Sequence, residues 1–212
     1  LIVPGVVESL RIVTEEASMR IADFAFRFAR FRKRRKVTAV HKANILKLSD
    51  GLFLECCRKV AKGFPEIEYQ ELIVDNMCMQ LVTDPTRYDI LVSENLFGDI
   101  LSDLCAGLVG GLGFAPGGNI GKDVAVWETV HGSAPDIAGK NLANPIASVL
   151  AGVMLLRYIG HGAEADRLKA AVFSVLAGGE TLTRDMGGTA GTTDVRDALL
   201  REIERTPVAA AG

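Results

Sequence analysis

Short apolar runs alternate with segments of helical period along this chain, and that alternation restricts the fold more than any other property of the sequence. Val37 to His41, Tyr69 to Val74 and Asp89 to Val92 are apolar-rich runs of strand length. Ser49 to Ala61 and Asn76 to Val82 lie between them with helical spacing, and a further helix precedes the first strand. Strands separated by helices of this length form an α/β fold, a mostly parallel sheet with helices on both faces.

Local signals set the helix ends. Thr14 reads as an N-cap followed by Glu15 and Glu16 at the positive end of the dipole, with Ile21, Phe24, Ala25 and Phe28 repeating as one apolar face. Further on, Asn144 caps a helix with Pro145 in its first turn and Val149, Leu150, Val153 and Met154 as its stripe. Ala163 to Ala177 is a second long helix, closed by Gly178 and Gly179, and a third begins near Thr193. The closing PVAAAG reads as a frayed tail. No repeat or low-complexity linker divides the chain, so the glycine-rich stretch near Gly110 is the expected hinge between residues 1–109 and 110–212.

Composition narrows the function. A chain of 212 residues that is 49% hydrophobic and 24% charged can bury one or two cores. A formal charge of −2 supplies no electrostatic reason for nucleic-acid binding, and the basic run FRKRRK (31–36) fits the solvated C-terminal end of a helix. Cys56, Cys57, Cys78 and Cys105 have no metal-ligand spacing and read as reduced, mostly buried thiols. The longest uncharged stretch, Leu104 to Gly121, is broken by glycines and a proline and cannot span a membrane.

The chemistry begins in NLFGDILSDL (95–104), where Asp99 and Asp103 stand four residues apart within an apolar repeat of Leu96, Ile100 and Leu104. Four residues is about one turn, so both carboxylates leave one helix face. Like charges that close oppose each other's ionisation unless a cation lies between them, and an oxygen-only donor set suits Mg²⁺ or Mn²⁺. An isolated pair of this kind is more often a solvated face; the residues downstream change the balance. The glycine run GLVGGLGFAPGGNIG (107–121) contains no GxGxxG opening a helix, and GGNIGKD lacks the Ser or Thr that a Walker A loop needs after its Lys.

Four blocks, VTAVHKANI (37–45), ELIVDNMCMQLV (71–82), NLFGDILSDL and HGSAPDIAGKNLANP (131–145), together resemble the decarboxylating dehydrogenase family that contains isocitrate, homoisocitrate and 3-isopropylmalate dehydrogenases. The resemblance runs from about Val6 to about Leu200, and it implies an isopropylmalate/isocitrate dehydrogenase-like fold. Residues 1–109 then form a small dimer-forming domain, and 110–212 the C-terminal part of a large nucleotide-binding domain. It implies a hydroxy tricarboxylate substrate, NAD as cofactor, and Mg²⁺ or Mn²⁺ held by Asp99 and Asp103 of one subunit with Asp75 of its neighbour. Lys42 matches the proton-transfer lysine, also given across the interface of a homodimer or larger oligomer. Asn44 and Glu128 match contacts to the nicotinamide end. His131, Gly132, Ser133, Ala134 and Pro135 match the loop packed on the adenosine, Asp136 and Ile137 the positions that face its ribose, and Asn144 the adenine contact, with Asp185 a weaker match to the same pocket. Ser93 and Glu94 replace the Met and Pro often seen before the Asn, and Trp127 replaces the usual Phe.

The VHKAN block and GVVESLRIVTEEAS lean towards the NAD-dependent isocitrate enzymes, since isopropylmalate enzymes tend to carry Asp before the Lys. Homoisocitrate or 3-isopropylmalate dehydrogenase is the alternative, and a non-catalytic regulatory chain of a hetero-oligomer is another, against which Asp75, Asp99 and Asp103 all stand intact. Localisation is expected to be cytoplasmic, or the mitochondrial matrix in a eukaryote. The chain opens on LIVPGVVESL with no initiator Met, signal peptide or capped element, as if inside a strand. The family's substrate arginines and proton-donor tyrosine have no counterpart here, since Tyr69, Tyr88 and Tyr158 lie elsewhere, so the 212 residues alone are expected to be inactive.

Overall fold

The computed structural model describes residues 3–205, and the PVAAAG tail lies outside them. Two compact units divide between Leu104 and Cys105. In the first, helix α1 (Glu15–Phe31) leads into strand β1 (Lys36–His41), α2 (Ser49–Ala61), β2 (Glu68–Ile73), α3 (Val74–Thr83), β3 (Ile90–Ser93) and the start of α4 (Asn95–Leu108). The three strands form a parallel sheet in the order β2-β1-β3, with Val37 beside Tyr69 on one side and Ile90 on the other. β1 is central, which explains its composition: Val37, Thr38, Ala39 and Val40 are all fully buried.

Thr14 caps α1 as its sequence requires, its hydroxyl accepting the Ala17 N–H at 3.2 Å. The buried face of that helix, however, is Ser18, Ala22, Ala25, Phe26 and Ala29. Ile21, Phe24 and Phe28 are about two-fifths exposed, and only Ala25 of the expected face is buried. Both stripes have helical period; the alanine-rich one wins because small side chains let α1 lie close against β1 and α2, with Phe26 filling the gap against Phe64 and Tyr69. Phe26→Ala is therefore expected to cost about 3–5 kcal/mol of stability and Phe24→Ala about 1 kcal/mol or less, which urea titration of the two variants checks. Equal costs would return the core to the Phe24 face.

The second unit holds an antiparallel hairpin, β4 (Pro116–Ile120) and β5 (Ala125–Thr129), and three helices, α5 (Ile146–Tyr158), α6 (Gly162–Gly178) and α7 (Thr192–Arg205). Glycine content hides the hairpin from sequence reading, because β4 is PGGNI. Its glycine has a tertiary reason: a Cβ on Gly118 would stand 2.5 Å from the Trp127 ring. Trp127 in turn packs on Tyr158 of α5 at 5.5 Å, while its buried indole N–H has no hydrogen-bond partner among the described residues. The helix core is Ile146 with Ala171, Val172, Val175, Val195, Ala198 and Leu199.

Two further sequence expectations shift in register. Pro145, not Asn144, occupies the α5 cap position, yet Asn144 Oδ1 still accepts the Ile146 N–H at 3.0 Å from one residue earlier. The α5 stripe moves to Ile146, Ala147, Ala151 and Val153, with Val149, Leu150 and Met154 only half-buried. Gly179 closes α6 in the left-handed region at φ 69° as expected of a C-cap glycine.

Candidate active site

Each chemistry-bearing residue of the first unit follows the carboxyl end of a parallel strand. Lys42 comes directly after β1, Asp75 lies in the first turn of α3 after β2, and Asp99 and Asp103 ride on α4 after β3. In open α/β sheets ligands bind outside the carboxyl edge, where connections diverge. The order β2-β1-β3 places that divergence at β1, which carries Lys42.

The lysine is held from both sides. The Lys42 N–H donates to Asp50 Oδ2 at 2.6 Å, and the Ala43 N–H donates to His41 Nδ1 at 3.0 Å. That N–H makes Nδ1 the acceptor nitrogen of the ring. Burial pushes the His41 imidazole below its ordinary pKa in spite of the Glu71 and Asp50 carboxylates nearby. At the other end of the side chain, Lys42 Nζ lies 2.5 Å from Asp75 Oδ1, and this hydrogen bond holds the Asp75 carboxyl below the usual carboxylate range.

Asp99 and Asp103 are exposed, and neither carboxylate has a hydrogen bond or ion pair among the described residues. Likewise no three His, Cys, Asp or Glu side chains of the described residues converge as a metal set within one chain. One chain thus offers a two-carboxylate donor face on α4 and, apart from it, an Asp75 already paired to Lys42. Asn44, in the turn after Lys42, is exposed.

The second unit gathers most of the expected cofactor residues around one open cleft of about 1040 Å³. His131, Gly132, Ser133, Ala134, Ile137, Asn144 and Asp185 line it. Pro135 and Asp136 belong to the same loop but not to the cleft wall, and Glu128, on β5, accepts from Asn119 Nδ2 at 2.6 Å outside it. The loop folds back through a left-handed Ala134 (φ 42°) and an Ile137 N–H to Ala134 carbonyl bond of 3.0 Å. His131 Nδ1 donates to the Gly132 carbonyl at 2.9 Å.

Along the cleft Asn144 Nδ2 and the Thr183 hydroxyl both donate to Asp185, at 2.9 and 2.5 Å. Gly113 closes over this pair, since a Cβ there would meet Asp185 Oδ2 at 2.8 Å and Asn144 Nδ2 at 2.9 Å. Gly113→Ala should therefore part this pair and lower stability by about 1 kcal/mol, the worth of one partly buried hydrogen bond, which urea titration checks. Unchanged stability would mean the pair yields to the added methyl without cost. Sequence reading missed Gly113, and it missed Asn141, Thr192 and Thr193, which also line the cleft. Asn141 there bridges to Thr193 through its side chain at 2.9 and 3.0 Å. Asn141 stands in the left-handed region (φ 58°), a conformation that Asn adopts more readily than most residues.

A parallel sheet with a paired acid and lysine at its carboxyl edge, and a second unit with an open cleft lined by Asn144 and Asp185, are features of α/β enzymes of the nucleotide-using class. Residues 4–199 match the isocitrate/isopropylmalate dehydrogenase family model, and the chain belongs to that family. It is 54% identical over 199 residues to the mitochondrial NAD isocitrate dehydrogenase catalytic subunit 5 of Arabidopsis thaliana, covering 93% of this chain and 53% of the relative. To the alpha chain of the human mitochondrial NAD isocitrate dehydrogenase it is 52% identical over 205 residues, covering 96% and 56%. A regulatory chain of the mitochondrial NAD isocitrate dehydrogenase of Dictyostelium discoideum is also 52% identical, with 95% and 57% covered. Among solved structures, isocitrate dehydrogenase from Methylococcus capsulatus superposes with a TM-score of 0.90 at 50% identity, over 92% of this chain and 58% of that one. The chain thus spans about half the length of the curated relatives it matches.

Proposed function

We propose that this chain carries the metal, proton-transfer and cofactor residues of an NAD⁺-dependent isocitrate dehydrogenase, which oxidises its substrate to 2-oxoglutarate with loss of CO₂. The observation that carries the reading is the Lys42–Asp75 pair at the carboxyl edge of the sheet, with two unpartnered carboxylates on the next helix. Asp99 and Asp103, joined by Asp75 of the partner subunit, would hold the divalent cation. The donor chemistry fits, being all carboxylate oxygen on an exposed face. When bound, the cation supplies positive charge against the substrate's oxygens, and NAD⁺ accepts the hydride. Lys42 holds and moves a proton at Nζ. Its flanking peptides are pinned, so the ammonium is presented in one place. Asn144, Asp185 and the 131–137 loop bind the adenosine end, and Glu128 with Asn44 serves the nicotinamide end.

Asp75 is paired with Lys42 within its own chain while the α4 carboxylates have no partner among the described residues, which supports a site completed by a neighbouring subunit. Met79 and Val82 on α3 and Leu96 and Ile100 on α4 are at least half exposed, which supports a homodimer formed through these helices. The relatives' names place them in mitochondria, which supports the same compartment here. No helix among the described residues is long and apolar enough to cross a membrane.

The regulatory reading is supported by the Dictyostelium relative's name, but the intact acids Asp75, Asp99 and Asp103 favour the catalytic one. The test is turnover of isocitrate by the full-length protein with NAD⁺ and Mn²⁺, following NADH and CO₂ together. Equal release of both is expected. Mn²⁺ binding without turnover would assign a regulatory chain, and turnover of homoisocitrate or 3-isopropylmalate instead would move the substrate within the family.

A further inference from the structure

Arg11 lies on the irregular segment that runs into α1, away from the four blocks that carry the candidate site residues. Its guanidinium nonetheless reaches two carboxylates. Nη1 is 3.0 Å from Asp50 Oδ1, Nη2 pairs with Glu94, and the guanidinium carbon lies 5.3 Å from the centre of the Phe97 ring. The Asp50 side chain is 0% exposed and that of Glu94 12%, so neither carboxylate has water to hold its charge. No other cation forms an ion pair with either among the described residues. Two carboxylates at that depth need a shared cation, and the spread charge of a guanidinium can pair with both at once where an ammonium offers only a point charge.

Each carboxylate belongs to a different part of the catalytic machinery. Asp50, in the first turn of α2, accepts the backbone N–H of Lys42 through its other oxygen at 2.6 Å. Glu94 immediately precedes α4, and its carbonyl accepts the Gly98 N–H at 2.9 Å, the bond that opens the helix bearing Asp99 and Asp103. Arg11 is thus the tie between the strand end that presents Lys42 and the helix start that presents the metal carboxylates. Position 94 is also one where the chain departs from the family pattern, and the Pro often found there has no charge to offer. In this chain Glu94 gives Arg11 its second anchor.

We infer that Arg11 is a positioning residue, which bridges buried Asp50 to the largely buried Glu94 and so fixes the Lys42 backbone relative to the N-terminus of α4. It touches neither substrate nor cofactor, and its role rests on the reading of Lys42 and Asp99 given under Proposed function. Loss of the tie should free the Lys42 amide and let the proton-transfer group drift from the metal carboxylates. A misplacement of that kind is felt in kcat, not in cofactor binding.

Arg11→Met, Arg11→Lys and Glu94→Gln in the full-length protein test the inference, with two readouts. Hydrogen exchange of the Lys42 amide reports the tie, and steady-state kinetics with isocitrate, NAD⁺ and Mn²⁺ reports its consequence. Arg11→Met is expected to raise Lys42 amide exchange and lower kcat, each about tenfold or more, with KM for NAD⁺ within about twofold of wild type. Arg11→Lys should fall between, holding Asp50 but losing the fork, and Glu94→Gln should lower kcat several-fold with Lys42 exchange near wild type. Should Arg11→Met fail to fold, the two conservative variants decide: wild-type kcat in both overturns the inference. So does an Arg11→Met protein that is less stable yet keeps wild-type Lys42 exchange and kcat below its melting temperature, since that is a structural role only. If the unaltered protein turns over no isocitrate, the functional reading fails separately, and Lys42 exchange in Arg11→Met still decides whether the tie exists.

Discussion

Lys42→Met in the full-length protein is expected to lower kcat by about 10²–10⁴-fold, the range over which a positioned proton-transfer group contributes. At about 1.4 kcal/mol per decade this is roughly 3–5 kcal/mol of barrier. Stability should barely change, because the partner that is lost, Asp75, is 68% exposed and regains water. The sharper outcome comes from mixing. If Lys42 and Asp75 complete the neighbour's site, an inactive Lys42→Met protein mixed with an inactive Asp99→Asn protein forms hybrids in which one site keeps every group and the other loses two. Random exchange then returns up to about a quarter of wild-type activity. Hybrids that form, as shown by mass, but stay inactive would place Lys42 and Asp99 in one chain's own site.

Exchanging Asp136→Lys and Ile137→Tyr together is expected to shift cofactor preference from NAD⁺ towards NADP⁺ by about a hundredfold or more. A carboxylate facing the adenosine ribose accepts hydrogen bonds from its hydroxyls and repels a 2′-phosphate, whereas Lys and Tyr would pair with and donate to that phosphate. The difference is a few kcal/mol at about 1.4 kcal/mol per decade. Asp136 could instead serve merely to cap the turn after Pro135. That turn is closed by the Ile137 N–H to Ala134 carbonyl bond, and the exposed Asp136 carboxylate has no partner among the described residues, which leaves it available to a ribose. Measured as the ratio of kcat/KM for the two cofactors, an unchanged preference in the double variant would place the discrimination elsewhere.

Much of the candidate site is legible in the sequence because its residues lie just past strand ends, where a contiguous block contains both the strand and the group it presents. VTAVH is β1 and the next residue is Lys42; ELI ends β2 and Asp75 follows two positions on. Cys57 was likewise readable as a buried thiol, and burial pushes it up to about 12, so thiol reagents at neutral pH should spare it in the native chain. The pairings that orient those groups join residues distant in sequence. Arg11 meets Asp50 and Glu94, and Asn144 meets Asp185 through a gap that only Gly113 leaves open.

The amino-acid order by itself determined the helices and parallel strands, through short-range causes: Thr14 capping, β-branched runs, and a left-handed Gly179 each act within a turn or two. Tertiary structure alone decided which of two equally periodic faces α1 buries, because close approach to β1 and α2 rewards Ala22, Ala25 and Ala29 over the larger Ile21, Phe24 and Phe28. It also decided that PGGNI is a strand, since its pairing energy comes from β5 and from Trp127 lying over Gly118. A periodicity states that a face exists; only the neighbour that packs against it selects the face.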